Sequence, residues 1–322
     1  MSPPPIKPPV LDRGDKIGIV APASNIQLKL LQAGCARLKG LGYEPVFSDG
    51  IVEQDLYFAG SIARRIRELH DMFQRPDIRA ILCARGGYGC NYLLPHLDLE
   101  LIQRNPKIFM GYSDITALLT YIHDTTGLVT FHGPMVTKDF AVENGIDTLS
   151  WDAALDSHPG WELASHTVFV LTPLIEGHAE GIVYGGCLSI LVASLGTPYE
   201  IQTDGTLLFL EDINTKPYQI DRMLMQLKLG GKLSGVKGII FGEMMDCVQG
   251  PDQPYTLQDV VRRIVGDLGI PVAYGLASGH VSRQNVTLPI GIRASLAVSG
   301  QSVRLDFLES ATVRTRAGVQ SA

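Results

Sequence analysis

The sequence predicts an α/β protein built on a parallel sheet. Three observations point there. Short apolar runs alternate with helix-period stretches through the first half of the chain, the pattern of strands joined by crossover helices. At 322 residues the chain has the length of about two domains. Its tail, Ser295–Phe307, alternates polar and apolar residues like an antiparallel hairpin, so the second half differs from the first.

Taken in order, Lys16–Ala21 (KIGIVA) is an apolar run that stops at Pro22, as a buried strand would. Ile26–Leu41 has helical periodicity and ends at Gly42. Glu44–Phe47 reads as a second strand. Ile62–Phe73 is predicted to be a helix burying Ile62, Ile66, Leu69 and Phe73, which recur at three- and four-residue spacing. Ala80–Ala84 and Lys107–Met110 read as strands, and Ile115–His123 as the helix after the second of them. The stretch from Asp139 to Glu180 has few periodic runs and reads as a connection. Beyond it, strands are expected at Leu207–Leu210, Gly238–Phe241 and Val272–Tyr274. Helices are expected at Leu188–Leu195, Ile220–Leu229 and Leu257–Leu268.

Composition narrows the function. Hydrophobic residues make up 45% and charged residues 19%, which is globular composition. A net charge of −6 offers no basic excess to neutralise a phosphate backbone, so nucleic acid is not an expected partner. Cysteines 35, 83, 90, 187 and 247 include no CxxC pair, which argues against a zinc site and for reduced thiols in a reducing compartment. Cys83 and Cys187 sit in apolar runs, while Cys90 and Cys247 have no basic neighbour in sequence to create a thiolate. The proline-rich N-terminus lacks the apolar core of a secretory signal. Gly181–Tyr199 is uncharged and long enough to span a bilayer, but its four glycines and its proline fit a glycine turn and a short buried helix better. No membrane association is expected.

Several residues could do chemistry. Gly111-Tyr112-Ser113-Asp114 joins an apolar strand to a helix, the setting in which a sharp turn exposes a serine hydroxyl at a helix N-terminus. Ile115 stands where such an elbow usually has its second glycine. The residues alone favour the plainer reading, in which Ser113 or Asp114 caps the helix. Ala84-Arg85-Gly86-Gly87-Tyr88-Gly89 follows a strand and lacks the lysine and hydroxyl of a phosphate-binding loop. It can be an oxyanion-hole donor or an ordinary turn. Glu211 ends a strand, with Asp212 beside it as a substitute acid. His280 lies in a glycine-flanked loop, and His132, in FHGPM, rivals it as the base.

Six segments together resemble the serine LD-carboxypeptidases, a family that includes the microcin C self-immunity peptidases. They are ARGGYG, GYSDITALL, FHGPM, GGCLSILVASLGTPYE, LFLEDINTKPYQIDRML and GHVSRQNVTLPIG, in the family's order over nearly the whole chain. The resemblance implies a Ser–Glu–His triad of Ser113, Glu211 and His280, with the backbone N–H groups of Gly86 and Asp114 as the oxyanion hole. It implies an N-terminal Rossmann/flavodoxin-like parallel-sheet domain over residues 1–150, an inter-domain connection over 151–180 and a C-terminal β-rich α/β domain over 181–322. A homodimer is expected, with no metal and no cofactor. The implied substrate is a cytoplasmic peptide, murein tetrapeptide, cut between the L-centre of meso-diaminopimelate and a terminal D-alanine. Arg85 is a candidate for the substrate's free carboxylate and equally for a structural ion pair.

Two other readings stand beside this one. A microcin-type peptidase would cut an aminoacyl-nucleotide amide and needs an aromatic platform, for which Trp151, Trp161 and Tyr184 are the residues of suitable type. A non-catalytic binding protein would use a cleft between two lobes and need no triad.

Overall fold

The computed structural model describes residues 4–157, 160–163 and 171–314. The strands are β1 (Lys16–Val20), β2 (Glu44–Val46), β3 (Ile78–Cys83), β4 (Ile108–Gly111), β5 (Thr130–His132), β6 (Trp161–Glu162) and β7 (Thr172–Ile175). They continue with β8 (Gly177–Cys187), β9 (Thr206–Glu211), β10 (Gly238–Gly242), β11 (Val272–Leu276), β12 (Leu288–Ile290), β13 (Arg293–Ser299) and β14 (Ser302–Phe307). The α-helices are α1 (Leu28–Gly40), α2 (Ile62–Gln74), α3 (Leu99–Arg104), α4 (Thr116–Thr126), α5 (Thr148–Leu155), α6 (Leu188–Ala193), α7 (Pro217–Leu229) and α8 (Leu257–Val265).

Two sheets result. The first runs β12-β5-β4-β3-β1-β2 and is parallel except for β12, which lies antiparallel on β5. Its central strands are apolar throughout: Ile17, Ile19, Ile81, Leu82, Ile108 and Phe109 are completely buried, as strands covered on both faces must be. The second runs β6-β14-β13-β8-β9-β10-β11-β7. Here β8, β9, β10 and β11 are parallel, and the strands outside them are antiparallel. The expected tail hairpin is β13–β14.

β12 comes from the second half of the sequence yet completes the first sheet, so the halves are stitched together. One hydrophobic core reaches from Ile17 and Leu82 to Leu208 and Ile240. The stretch read as a plain connection contains α5, β6 and β7 among its described residues. Gly181–Cys187 completes β8, and only Leu188–Ala193 is helical. Among the described residues, no helix is long and apolar enough to cross a membrane.

Helix α2 departs from the periodicity reading. Ile62 is exposed, and the buried face carries Arg64, Arg65 and Glu68 beside Leu69, Met72 and Phe73. The charges are buried because each is used. Arg64 Nη2 lies 2.5 Å from Glu68 Oε1, and Glu68 Oε2 accepts from the Ala21 N–H at 2.8 Å. Arg65 Nη1 donates to the carbonyls of Pro22 and Gly89 at 2.8 and 2.9 Å. Buried ions are tolerated when paired and hydrogen-bonded. These ones tie the ends of β1 and the glycine-rich turn after β3 to one helix.

Candidate active site

In parallel sheets, ligands bind beyond the carboxyl ends of the strands. The ends of β3, β4, β5 and β9 carry Arg85-Gly86, Ser113, His132 and Glu211.

Ser113 follows β4 immediately and adopts φ +63°, a left-handed conformation that costs a non-glycine residue energy and recurs at strained nucleophile turns. It caps nothing. Neither the short 3₁₀ turn over Ser113–Ile115 nor α4 has a side-chain cap, so the capping alternative fails for Ser113. It fails for Asp114 too. That carboxylate is fully buried and reaches back to the glycine-rich turn, where Oδ2 accepts from the Cys90 N–H at 2.7 Å. Burial raises its pKa, against the pull of that bond and of Arg65.

The same turn presses on the serine. A Cβ on Gly86 would lie 2.7 Å from Ser113 Cβ and 3.0 Å from its Oγ, so only glycine fits. Gly87 and Gly89 take positive φ of +104° and +132°. Within the ARGGYG turn, Gly86 packs on Ser113, Gly87 on Ser24 and Gly89 on Arg65 and Phe58.

Glu211, the last residue of β9, is completely buried. Its Oε2 accepts from His280 Nδ1 at 2.8 Å and from the His280 main-chain N–H at 3.1 Å. Burial opposes ionisation of this carboxyl, but the imidazoles of His132 and His280 outweigh it and hold its pKa well below the usual carboxylate range. Burial likewise opposes charging of His280; Glu211 more than offsets this and raises its pKa, while the Lys138 charge pulls it back. Asn285 fixes the His280 loop. Its side chain accepts from the Gly279 N–H and donates to the Gly279 carbonyl, both at 3.0 Å, and donates to Asp139 Oδ1 at 3.2 Å.

The two halves of the site meet by packing. Tyr112, next to Ser113, stands edge-on to the His280 ring at 5.1 Å between centroids. Among the described residues no hydrogen bond joins Ser113 to His280. Such contacts tighten when substrate arrives. The arrangement offers a strained hydroxyl against a glycine turn and an imidazole aimed by a buried carboxylate, the elements of acyl transfer.

A family model described as the LD-carboxypeptidase N-terminal domain matches residues 17–133, and one described as the LD-carboxypeptidase C-terminal domain matches residues 180–296. The chain belongs to the LD-carboxypeptidase family. A probable murein peptide carboxypeptidase of Bacillus subtilis is 41% identical over 303 residues, covering 90% of this chain and 91% of that protein. The murein tetrapeptide carboxypeptidase of Pseudomonas aeruginosa is 29% identical, covering 87% and 92%. Among solved structures, an MccF-like protein of Bacillus anthracis superposes with a TM-score of 0.85 at 30% identity, covering 94% of this chain and 99% of that one. The microcin C7 self-immunity protein MccF, solved with glutamyl sulfamoyl guanosine, gives 0.86 at 26% identity, covering 96% and 100%. These relatives support a serine-type peptidase acting on a peptide.

In this member of the LD-carboxypeptidase family, several sequence expectations need correction. Asp212 does not substitute for Glu211. Its oxygens accept from the N–H groups of Ser189 and Ile213 and from Thr215 Oγ1, so it braces local turns. Trp151, Trp161 and Tyr184 cannot form an aromatic platform, because all three are buried: Trp151 bonds Tyr43, Trp161 stacks on Phe307, and Tyr184 bonds Asp124. Exposed aromatic rings lie instead beside the glycine turn, where Tyr57, Tyr88 and Tyr92 surround Phe58. All five cysteines are buried, and their pKa values are raised, by burial first. Arg65 does act on Cys90, but burial prevails and no thiolate is favoured. Arg85 is exposed and donates to the Asn25 carbonyl at 3.0 Å; among the described residues it forms no ion pair, which leaves its carboxylate role standing. Sequence reasoning passed over Lys138, an exposed cation whose charge reaches His280, and it placed His132 only as a rival base, whereas its Nε2 faces Glu211 Oε1.

Proposed function

We propose that this protein is a serine LD-carboxypeptidase that releases terminal D-alanine from murein tetrapeptide in peptidoglycan recycling, acting in the cytoplasm as a homodimer. The observation that carries the reading is the Glu211–His280 pair, buried at the end of β9 and packed against the residue preceding a strained Ser113.

In this reading, His280 Nε2 takes the Ser113 proton as Oγ attacks the carbonyl carbon of the scissile amide. Glu211 holds the imidazole through Nδ1 and stabilises the cation that forms. The Gly86 and Asp114 N–H groups receive the oxyanion; one such donor is worth about a hundredfold or more in rate. His280 then gives its proton to the departing amine as the C–N bond breaks. Water, deprotonated by His280, attacks the acyl-enzyme and restores the serine. Arg85 pairs with the free carboxylate of the substrate.

A microcin-type amide substrate is the second reading. The exposed tyrosines near the glycine turn favour it, since they offer stacking surface for a base. Side-by-side mass spectrometry on murein tetrapeptide and on a processed microcin analogue separates the two. Wild-type enzyme should release D-alanine, and release should vanish in folded S113A. A fluorophosphonate probe that labels Ser113 would exclude a purely binding role.

A further inference from the structure

His132 ends β5, is completely buried, and has no task in the mechanism above. Its ring is caged. Phe209 stands edge-on at 5.1 Å, and Tyr112 lies tilted at 6.0 Å. A Cβ on Gly279 would lie 2.8 Å from His132 Cε1 and 2.7 Å from Glu211 Cδ, and one on Gly186 would lie 3.3 Å from His132 Cδ2. Two glycines thus keep room for an imidazole beside the acid.

The ring's polar atoms define its role. Nδ1 is 2.9 Å from Ser278 Oγ. Nε2 faces Glu211 Oε1 at 3.8 Å. Among the described residues, neither of these two buried atoms has a hydrogen-bond partner. Buried polar groups are rarely left unpaired. Two that face each other read as one interaction slightly too long, not as two separate omissions.

The protons can be counted. Ser278 Oγ has one hydrogen and three acceptors in reach: His132 Nδ1 and the Val286 carbonyl, each at 2.9 Å, and the His132 carbonyl at 3.4 Å. If the hydroxyl donates to Nδ1, the ring proton sits on Nε2 and points at the carboxylate. If it donates to Val286 instead, a neutral ring must donate from Nδ1 and turn a lone pair towards an anion in a dry site. The first arrangement gives the buried Glu211 Oε1 a donor at the expense of the Ser278–Val286 bond, whereas the second sets two acceptors, one of them an anion, against each other.

We propose that His132 is a positioning residue. In its Nε2–H form, fixed by Ser278, it holds Glu211 Oε1 and so keeps Oε2 on His280 through the proton transfers. The contact also joins the sheets, since His132 belongs to the first and Glu211 to the second. The acid is thereby set only when the two are docked. This inference rests on Glu211 being the acid of the triad.

Histidine side-chain ¹⁵N NMR of the full-length wild-type protein tests it directly, with His132 assigned through its ring contacts to Phe209. The expected result is an Nε2–H neutral ring; an Nδ1–H ring overturns the proposal. Kinetics provide the second measurement. Gln at position 132 can place an amide N–H near the Nε2 site, whereas Asn keeps the Ser278 contact and cannot reach Glu211. H132N should lower kcat tenfold or more with KM unchanged, and H132Q should recover to within a few-fold of wild type. Equal activities of the two variants, as a space-filling role would give, overturn the proposal. A dead S113A together with a fully active H132N refutes this inference alone, whereas an active S113A refutes the triad beneath it.

Discussion

Glu211 Oε2 accepts two hydrogen bonds from the same residue: the His280 ring at 2.8 Å and the His280 main chain at 3.1 Å. One buried oxygen therefore fixes both where the loop runs and which way the imidazole faces. The imidazole cannot rotate away without breaking its bond to Oε2, and the loop cannot shift without breaking the main-chain one.

E211Q should separate charge from shape. Glutamine keeps the length of the side chain, but its amide carries no charge to stabilise the imidazolium. On the proposed mechanism, kcat falls by about a thousandfold or more, as when the carboxylate of a triad is made neutral. Near-ultraviolet circular dichroism should stay native. Steady-state kinetics with D-alanine detection measure the loss, and a variant within tenfold of wild type argues against the acid role.

The pH profile follows from His280. The base must be neutral to accept the serine proton. Burial lowers its pKa and Glu211 raises it more, so the net shift is upward from 6.5. The acid limb of kcat/KM should therefore lie above pH 6.5. Lys138 acts in the opposite direction, so K138Q should move the limb to higher pH. A wild-type limb at pH 6 or below contradicts this assignment, and a limb unmoved in K138Q shows that the lysine charge does not reach the ring.

Gly86 should accept no side chain. In G86A the new methyl would stand 2.7 Å from Ser113 Cβ, so the serine must move. Displacement of a nucleophile by a fraction of an ångström costs rate far more than it costs stability. We expect kcat to fall about a hundredfold, with a melting temperature within a few degrees of wild type. Unchanged kcat would place the turn away from the nucleophile.

Asp124 makes stability depend on pH. Burial raises its carboxyl from 3.8 to about 7, although the Tyr184 hydroxyl donates to it at 2.7 Å. Between those values the folded protein binds a proton that the unfolded chain releases, so folding weakens as pH rises through that range. D124N should remove this dependence, gaining about 4 kcal/mol relative to wild type at pH 8, at roughly 1.4 kcal/mol per pKa unit, and little at pH 4. Thermal unfolding at the two pH values reads the difference; equal pH slopes in both proteins contradict it.

The part of the fold that was legible in the sequence is the part written locally. Apolar runs such as KIGIV and AILC are strands because both faces of their sheet are covered, and the hairpin of β13 and β14 shows its alternation openly. The α2 face was misjudged because Arg64, Arg65 and Glu68 look like solvent residues until the chain ends they bind are brought to them. β12 has only three residues, and nothing local assigns it to a sheet formed by the other half. Of the candidate site, Ser113, Glu211 and His280 were legible through resemblance, and Gly86 through its glycine-rich turn. His132 was visible only as a rival base, since its relation to Glu211 exists solely where the two sheets meet.

The central claim is that a hydroxyl from the first sheet and an acid–base pair from the second act as one catalyst. Mass spectrometry of murein tetrapeptide incubated with wild-type and with folded S113A protein tests it most directly. The account predicts stoichiometric release of D-alanine by the wild type and at least about a thousandfold slower release by S113A. Undiminished release by S113A, or an intact tetrapeptide after prolonged incubation with the wild type, would contradict it.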